Sequence, residues 1–126
     1  MDETNTKSGY SAHVGGLKTK KIDESNYEYH AQVKNIHLNT ANMAHGGFLT
    51  FIADTGMGNA AHIAAGNKRC VTINLDIKFI SAGKLNEKLV GKVKVLKKTK
   101  SLVFISSEIF VLNKIVATAS GTWKIL

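Results

Sequence analysis

Asp54 is the only acid between Gly47 and Ala65, where Phe48, Leu49, Phe51, Ile52, Ala53, Met57, Ala60, Ala61 and Ile63 dominate. A carboxylate in such company costs several kcal/mol unless something satisfies it. Its chemical use would be as a base or a nucleophile. Seven residues earlier stands the glycine pair Gly46-Gly47. If these glycines open a helix, their N–H groups have no internal partner and carry the positive end of the helix dipole. Such donors stabilise a developing oxyanion by roughly 3 kcal/mol. Gly47 and Asp54 are about two helical turns apart and share a face, with Gly58 and Ala61 next along it. The plainer readings are a glycine pair that merely starts a helix and an Asp bonded to Thr55 or to backbone.

Other constellations lead nowhere. Histidines 13, 30, 37, 45 and 62 lack metal-ligand spacing, and one cysteine, Cys70, makes a zinc site improbable. There is no G-x-S-x-G elbow, Walker motif or dinucleotide fingerprint. Nothing near Cys70 marks it as a nucleophile. A single cysteine excludes an intramolecular disulfide framework and suits a reducing compartment, so the cytoplasm is expected. The polar, acidic start, MDETNTKSGYS, is neither a signal nor a transit peptide, and no apolar run is long enough to cross a membrane.

The formal charge is +8, and residues 84–100 carry seven lysines against Glu87 alone. This is either a solvated surface or an anion site. No aromatic interrupts that segment, which disfavours nucleic acid and favours a phosphorylated small molecule.

The elements that must position Asp54 follow from periodicity. A helix is expected from about Gly46 to Ala65, stopped by Gly66-Asn67. It is apolar nearly all round and must be wrapped. YEYHAQV alternates as a strand with Tyr27 and Tyr29 inward. RCVTINLDIKFIS alternates too, with Val71, Ile73, Leu75, Ile77 and Phe79 on one face and Thr72, Asn74, Asp76 and Lys78 on the other. LVGKVKVL, LVFISSEIFVL and IVATASGTWKIL complete an antiparallel meander, the second of these central because both its faces are apolar. One helix on one antiparallel sheet is an α+β layer architecture. Residues 1–10 are expected as a flexible arm and 11–126 as one domain. Dimerisation is expected to cover the remaining surface, with Gly56 and Gly58 admitting another helix or strand.

The pattern Asn39-x-x-Asn42-x-x-His45-Gly46-Gly47, six residues, Asp54-Thr55, followed by TINLDIKFISAGKL and IVATASGTW, resembles the hotdog-fold acyl-CoA thioesterases of the PaaI type, relatives of 4-hydroxybenzoyl-CoA thioesterase. The resemblance covers about residues 10–126. It departs where Asn42 replaces the usual Gly, and where Ala82 rather than Pro follows Ser81. It implies a hotdog fold, one long central helix wrapped by a curved antiparallel sheet of five to six strands. It implies hydrolysis of an acyl-CoA thioester to free acid and CoA, without metal or organic cofactor. Asp54 would be nucleophile or general base, Gly46 the oxyanion donor, and His45 the support of that side. Asn39 would hold the thioester or water, and Thr72 would match a hydroxyl that positions water. Asp54 is expected to face Asn39, His45 and Gly46 of another subunit, in a homodimer that stacks into a homotetramer. Lys68, Arg69, Lys97, Lys98 and Lys100 are the candidates for gripping the CoA phosphates. A non-catalytic acyl-CoA-binding module is the alternative. No nucleic-acid or membrane partner is expected.

Overall fold

The computed structural model describes residues 3–5 and 9–126. The expected arm over residues 1–10 lies partly outside them, at 1, 2 and 6–8. Within that range Glu3–Asn5 forms a short strand, β1, and Gly9–His13 a single-turn helix, α1. Next come β2 (Lys18–Lys21) and β3 (Asn26–Gln32), a hairpin closed by Asp23, whose Oδ1 accepts N–H bonds from Ser25 and Asn26. A 3-10 turn (Asn35–His37) and a loop lead to α2 (Gly46–Ala64). The remaining strands are β4 (Cys70–Phe79), β5 (Lys88–Lys98), β6 (Leu102–Val111) and β7 (Lys114–Ile125).

The seven strands among the described residues form one sheet in the order β1-β2-β3-β5-β6-β7-β4, every pairing antiparallel. Helix α2 touches each of β2 to β7. The sheet therefore curls around it, which is what a helix apolar on most sides requires. This is the expected α+β hotdog architecture, with β1 as a small addition at one edge. β6 is interior, as its two apolar faces predict. Ile52, Ala53, Met57, Ala60 and Ala61 are fully buried, and so are Tyr29, Val103, Val116 and Ala117 from the sheet. Gly66, with φ of 72°, and Asn67, with φ of 65°, end the helix in left-handed geometry as expected. Asn42, at φ of 61°, takes the conformation in which a glycine is otherwise preferred.

Two expectations need correction. Gly56 and Gly58 do not make room for another chain. A methyl on Gly56 would fall inside the ring of Tyr29, and one on Gly58 would sit 3.2 Å from Trp123 Nε1. Their missing side chains let this chain's own sheet close on the helix. The single apolar face assigned to β4 is also broken. A bulge between Thr72 and Asn74 shifts the register against β7. Beyond it Leu75 and Ile77 still pack on the core, but before it Cys70 does so. Val71 and Ile73 are left 44% and 56% exposed. The extra residue inverts the alternation, so Thr72 rather than Ile73 faces the helix.

Candidate active site

Thr72 Oγ1 donates a hydrogen bond to Asp54 Oδ1 at 2.7 Å. The bulge in β4 creates this contact. Without it, Thr72 would lie on the outer face with Asp76 and Lys78. Asp54 is half-buried rather than sunk in the core, and its second oxygen has no partner among the described residues. It opens on a cavity of about 320 Å³ lined by Thr55, Gly58, Asn59, His62, Arg69, Cys70, Thr72 and Trp123. Positions 54, 58 and 62 are successive turns of one helix face, so the cavity runs along α2 toward its C-terminus.

At the other end of α2, His45 caps the helix. Its Nδ1 accepts the N–H of Gly47 at 2.7 Å. The N–H of Phe48 goes to the carbonyl of His45. Gly46 N–H has no partner among the described residues, which is the condition an oxyanion donor must meet. Phe79 lies beside Gly46, its Cζ 3.3 Å from where a Cβ would be. Asn39 closes the preceding loop, its Oδ1 accepting N–H bonds from Ala41 and Met43. Its amide nitrogen is left as a donor. Gly46 and Asp54 are eight residues apart, about 12 Å along the axis, so one copy of α2 does not present both to one carbonyl.

The five phosphate candidates come to one end of the sheet. Leu126 N–H donates to Arg69 O at 2.9 Å, and Ile125 N–H to Ser101 O at 2.8 Å. The Lys68-Arg69 pair thus adjoins the end of β5, with Lys97 and Lys98, and the turn after it, with Lys100. All five are exposed, and none is in an ion pair among the described residues. Only Arg69 of the five lines the Asp54 cavity. Burial raises the Cys70 thiol above its ordinary pKa, in keeping with a bystander rather than a nucleophile.

Sequence reasoning missed Asn59, His62 and Trp123. The first two were within reach, since positions 58, 59 and 62 follow Asp54 at helical spacing. Trp123 lies on a strand far away in sequence, and only the β4–β7 pairing, which sets it opposite Thr72, brings it here. No group of three or more metal-binding side chains occurs among the described residues. No helix among them is long and apolar enough to cross a membrane.

The profile of the thioesterase superfamily matches residues 41–117. An esterase-named protein of Archaeoglobus fulgidus is 32% identical over 91 residues, 71% of this chain and 58% of that protein. The chain thus spans somewhat over half the length of that relative. Among solved structures, the E. coli PaaI protein from the phenylacetic acid degradation operon superposes with a TM-score of 0.82. It is 23% identical, over 92% of this chain and 83% of PaaI. A hypothetical thioesterase protein of Streptococcus pneumoniae TIGR4, solved with coenzyme A, gives a TM-score of 0.77 at 24% identity. That match covers 86% of this chain and 87% of the other.

Proposed function

The chain belongs to the thioesterase superfamily, and from that premise we propose that it hydrolyses an acyl-CoA to the free acid and coenzyme A. The observation that carries this reading is the Asp54–Thr72 pair at the mouth of a cavity that ends on Arg69. Thr72 fixes one carboxylate oxygen and leaves the other to act. Asp54 either attacks the thioester carbon or takes a proton from the water that does. The carbonyl oxygen gathers negative charge as the carbon becomes tetrahedral. Gly46 N–H of a second copy receives it, with His45 holding the neighbouring N–H and orienting the helix start. Collapse expels the CoA thiolate, which takes up a proton. Attack by water leaves the free acid directly, whereas attack by Asp54 leaves an acyl-aspartyl anhydride that a water then opens to the free acid and the carboxylate. Asn39, whose amide nitrogen has no acceptor among the described residues, would hold the carbonyl or the water. No metal or organic cofactor enters these steps.

The phosphates of CoA would lie on Lys68, Arg69, Lys97, Lys98 and Lys100, which are close together and in no ion pair among the described residues. That a structural relative was solved with coenzyme A supports this choice of ligand. A homodimer, stacked into a tetramer, belongs to the same proposal; the separation of Gly46 from Asp54 and the edge strand β4, with Ile73 and Phe79 over half exposed, support the dimer. A cytoplasmic setting rests on the single cysteine.

The test is thiol release from short, long and aromatic acyl-CoAs with Asp54→Asn alongside. Loss of at least about a hundredfold in kcat is expected. Activity within about threefold of wild type overturns the mechanism. Saturable binding without turnover by the wild type would instead make the chain an acyl-CoA-binding module.

A further inference from the structure

His37 is 4% exposed and has no part in the Asp54 cavity. Main-chain groups engage both of its ring nitrogens. Nδ1 accepts the N–H of Lys34 at 2.9 Å, and Nε2 lies 2.6 Å from the carbonyl oxygen of Val14. A backbone N–H only donates and a carbonyl only accepts, so the ring is the neutral tautomer with its proton on Nε2. One face of the ring lies flat on Phe48, with centroids 3.6 Å apart and planes 9° from parallel. The carbonyl of His37 accepts the N–H of His45 at 2.7 Å. His45 is the N-cap of α2 and Phe48 its third residue, so the two grips bracket Gly46. The N–H of Gly46 shares a peptide plane with the carbonyl of His45. Its direction therefore turns with the His45 backbone, held at φ of −61° and ψ of 137°. Filling this space with an apolar side chain would spare the cost of burying a polar ring. The ring instead joins three pieces of chain that are apart in sequence: Val14, Lys34 and the first turn of α2.

We infer that His37 is a positioning residue for the hydrolysis, one that aims the Gly46 N–H by holding His45 and Phe48 from behind. This rests on the thioesterase reading above. His37 touches no reacting atom. It acts by fixing the donor before charge develops on the thioester oxygen, when reorganisation would be costly. The hold passes through Val14 to the segment Gly9–Val14, which also sets Tyr10 edge-on against Phe51, centroids 5.3 Å apart. The N-terminal segment thereby takes part in aligning the oxyanion donor, although the residues between Val14 and Lys34 belong to the β2–β3 hairpin. On the other side of the loop, Ala44 N–H donates to the carbonyl of Gly83 at 2.8 Å. The chain just before Gly46 is thus pinned from two directions, and His37 is the side chain that supplies one of them.

The experiment measures kcat and KM for thiol release from one acyl-CoA that the wild type turns over. His37→Leu fills the space and removes both ring bonds. It is expected to lower kcat about tenfold or more, with KM within about twofold of wild type. His37→Gln offers an amide N–H toward Val14, and His37→Asn offers an oxygen to the Lys34 N–H. Each keeps one bond and should recover about threefold or more of the loss. The decisive readout is a double variant. Gly46→Pro removes the N–H that His37 is argued to aim, so adding His37→Leu to it should change the residual kcat by less than about twofold. Losses that multiply in the double variant overturn the proposal. So does a lowered melting temperature with kcat unchanged, which would make His37 a packing residue only, and so does a loss confined to KM. Should His37→Leu fail to fold, His37→Gln and His37→Asn decide: kcat of both within about twofold of wild type refutes the role, and a fall of about threefold or more at constant KM upholds it. No thiol release by the wild type from any acyl-CoA refutes the thioesterase reading itself, and this inference with it.

Discussion

The hydroxyl of Thr72 removes one oxygen of Asp54 from competition and fixes the rotamer of the other. A hydrogen bond to a charged group is worth about 1.5–3 kcal/mol. Replacing Thr72 by Val keeps the shape and removes the donor, so kcat should fall about tenfold or more while KM stays nearly constant. Thr72→Ser should recover most of the loss. Steady-state kinetics on one acyl-CoA is the check, and a change confined to KM would assign Thr72 to binding instead. Cys70, two residues away in the same cavity, behaves differently with pH. Burial disfavours the thiolate and raises its pKa above the ordinary value. The thiol is therefore neutral at pH 7, where alkylation by iodoacetamide should be slow. The rate should climb only as pH passes the usual thiol range. Bound coenzyme A should slow it by filling the cavity. Fast alkylation at pH 7 would contradict the raised pKa.

At the scale of elements, the bulge in β4 is the device that builds the site, and Gly121 on β7 permits it. A Cβ at Gly121 would stand 2.6 Å from the carbonyl oxygen of Asn74 and 2.9 Å from the Trp123 ring. Gly121→Ala should push the bulge away and turn Thr72 from Asp54, lowering kcat toward the Thr72→Val level and destabilising the fold by about 1–3 kcal/mol. Gly91→Ala is the contrast. It would intrude on Tyr29, buried between sheet and helix and bonded through its hydroxyl to Ser107 at 2.7 Å. Its cost should appear in the melting temperature, with kcat of the surviving folded fraction little altered. Equal effects of both on kcat would deny the bulge its role. This also marks where the sequence is legible. Helix α2 announces itself through Gly46-Gly47 and Gly66-Asn67, local signals with local causes. The inward set Tyr27 and Tyr29 follows from alternation alone. The bulge does not, because TINLDIKF alternates cleanly and the shift depends on a glycine about fifty positions later. Asp54 and Gly46 were found through a motif. Regular alternation puts Thr72 on the outer face because it contains no sign of the bulge, and Trp123 reaches the site only through the β4–β7 pairing.

At the scale of the molecule, the separation of Gly46 from Asp54 decides how many chains make one site. If a site takes Asp54 from one copy and Gly46 from another, two variants each inactive alone should restore activity when mixed. Asp54→Asn removes the carboxylate. Gly46→Pro removes the free N–H at the first helical position, where proline is well accommodated, so the helix should persist. Each homodimer then has two dead sites. A heterodimer has one site lacking both groups and one retaining both. With random pairing, half the dimers are mixed and half their sites are whole, so activity should return to about a quarter of wild type. Unfolding and refolding the two variants together, then assaying thiol release, reads this directly. Sedimentation of the mixture shows whether dimers have formed. Dimers without recovered activity would mean that one site does not draw Asp54 and Gly46 from different chains. Recovery would make β4, with Ile73 and Phe79 exposed at the open sheet edge, the surface whose pairing creates the enzyme. Ile73→Lys should then lose the dimer and the activity together.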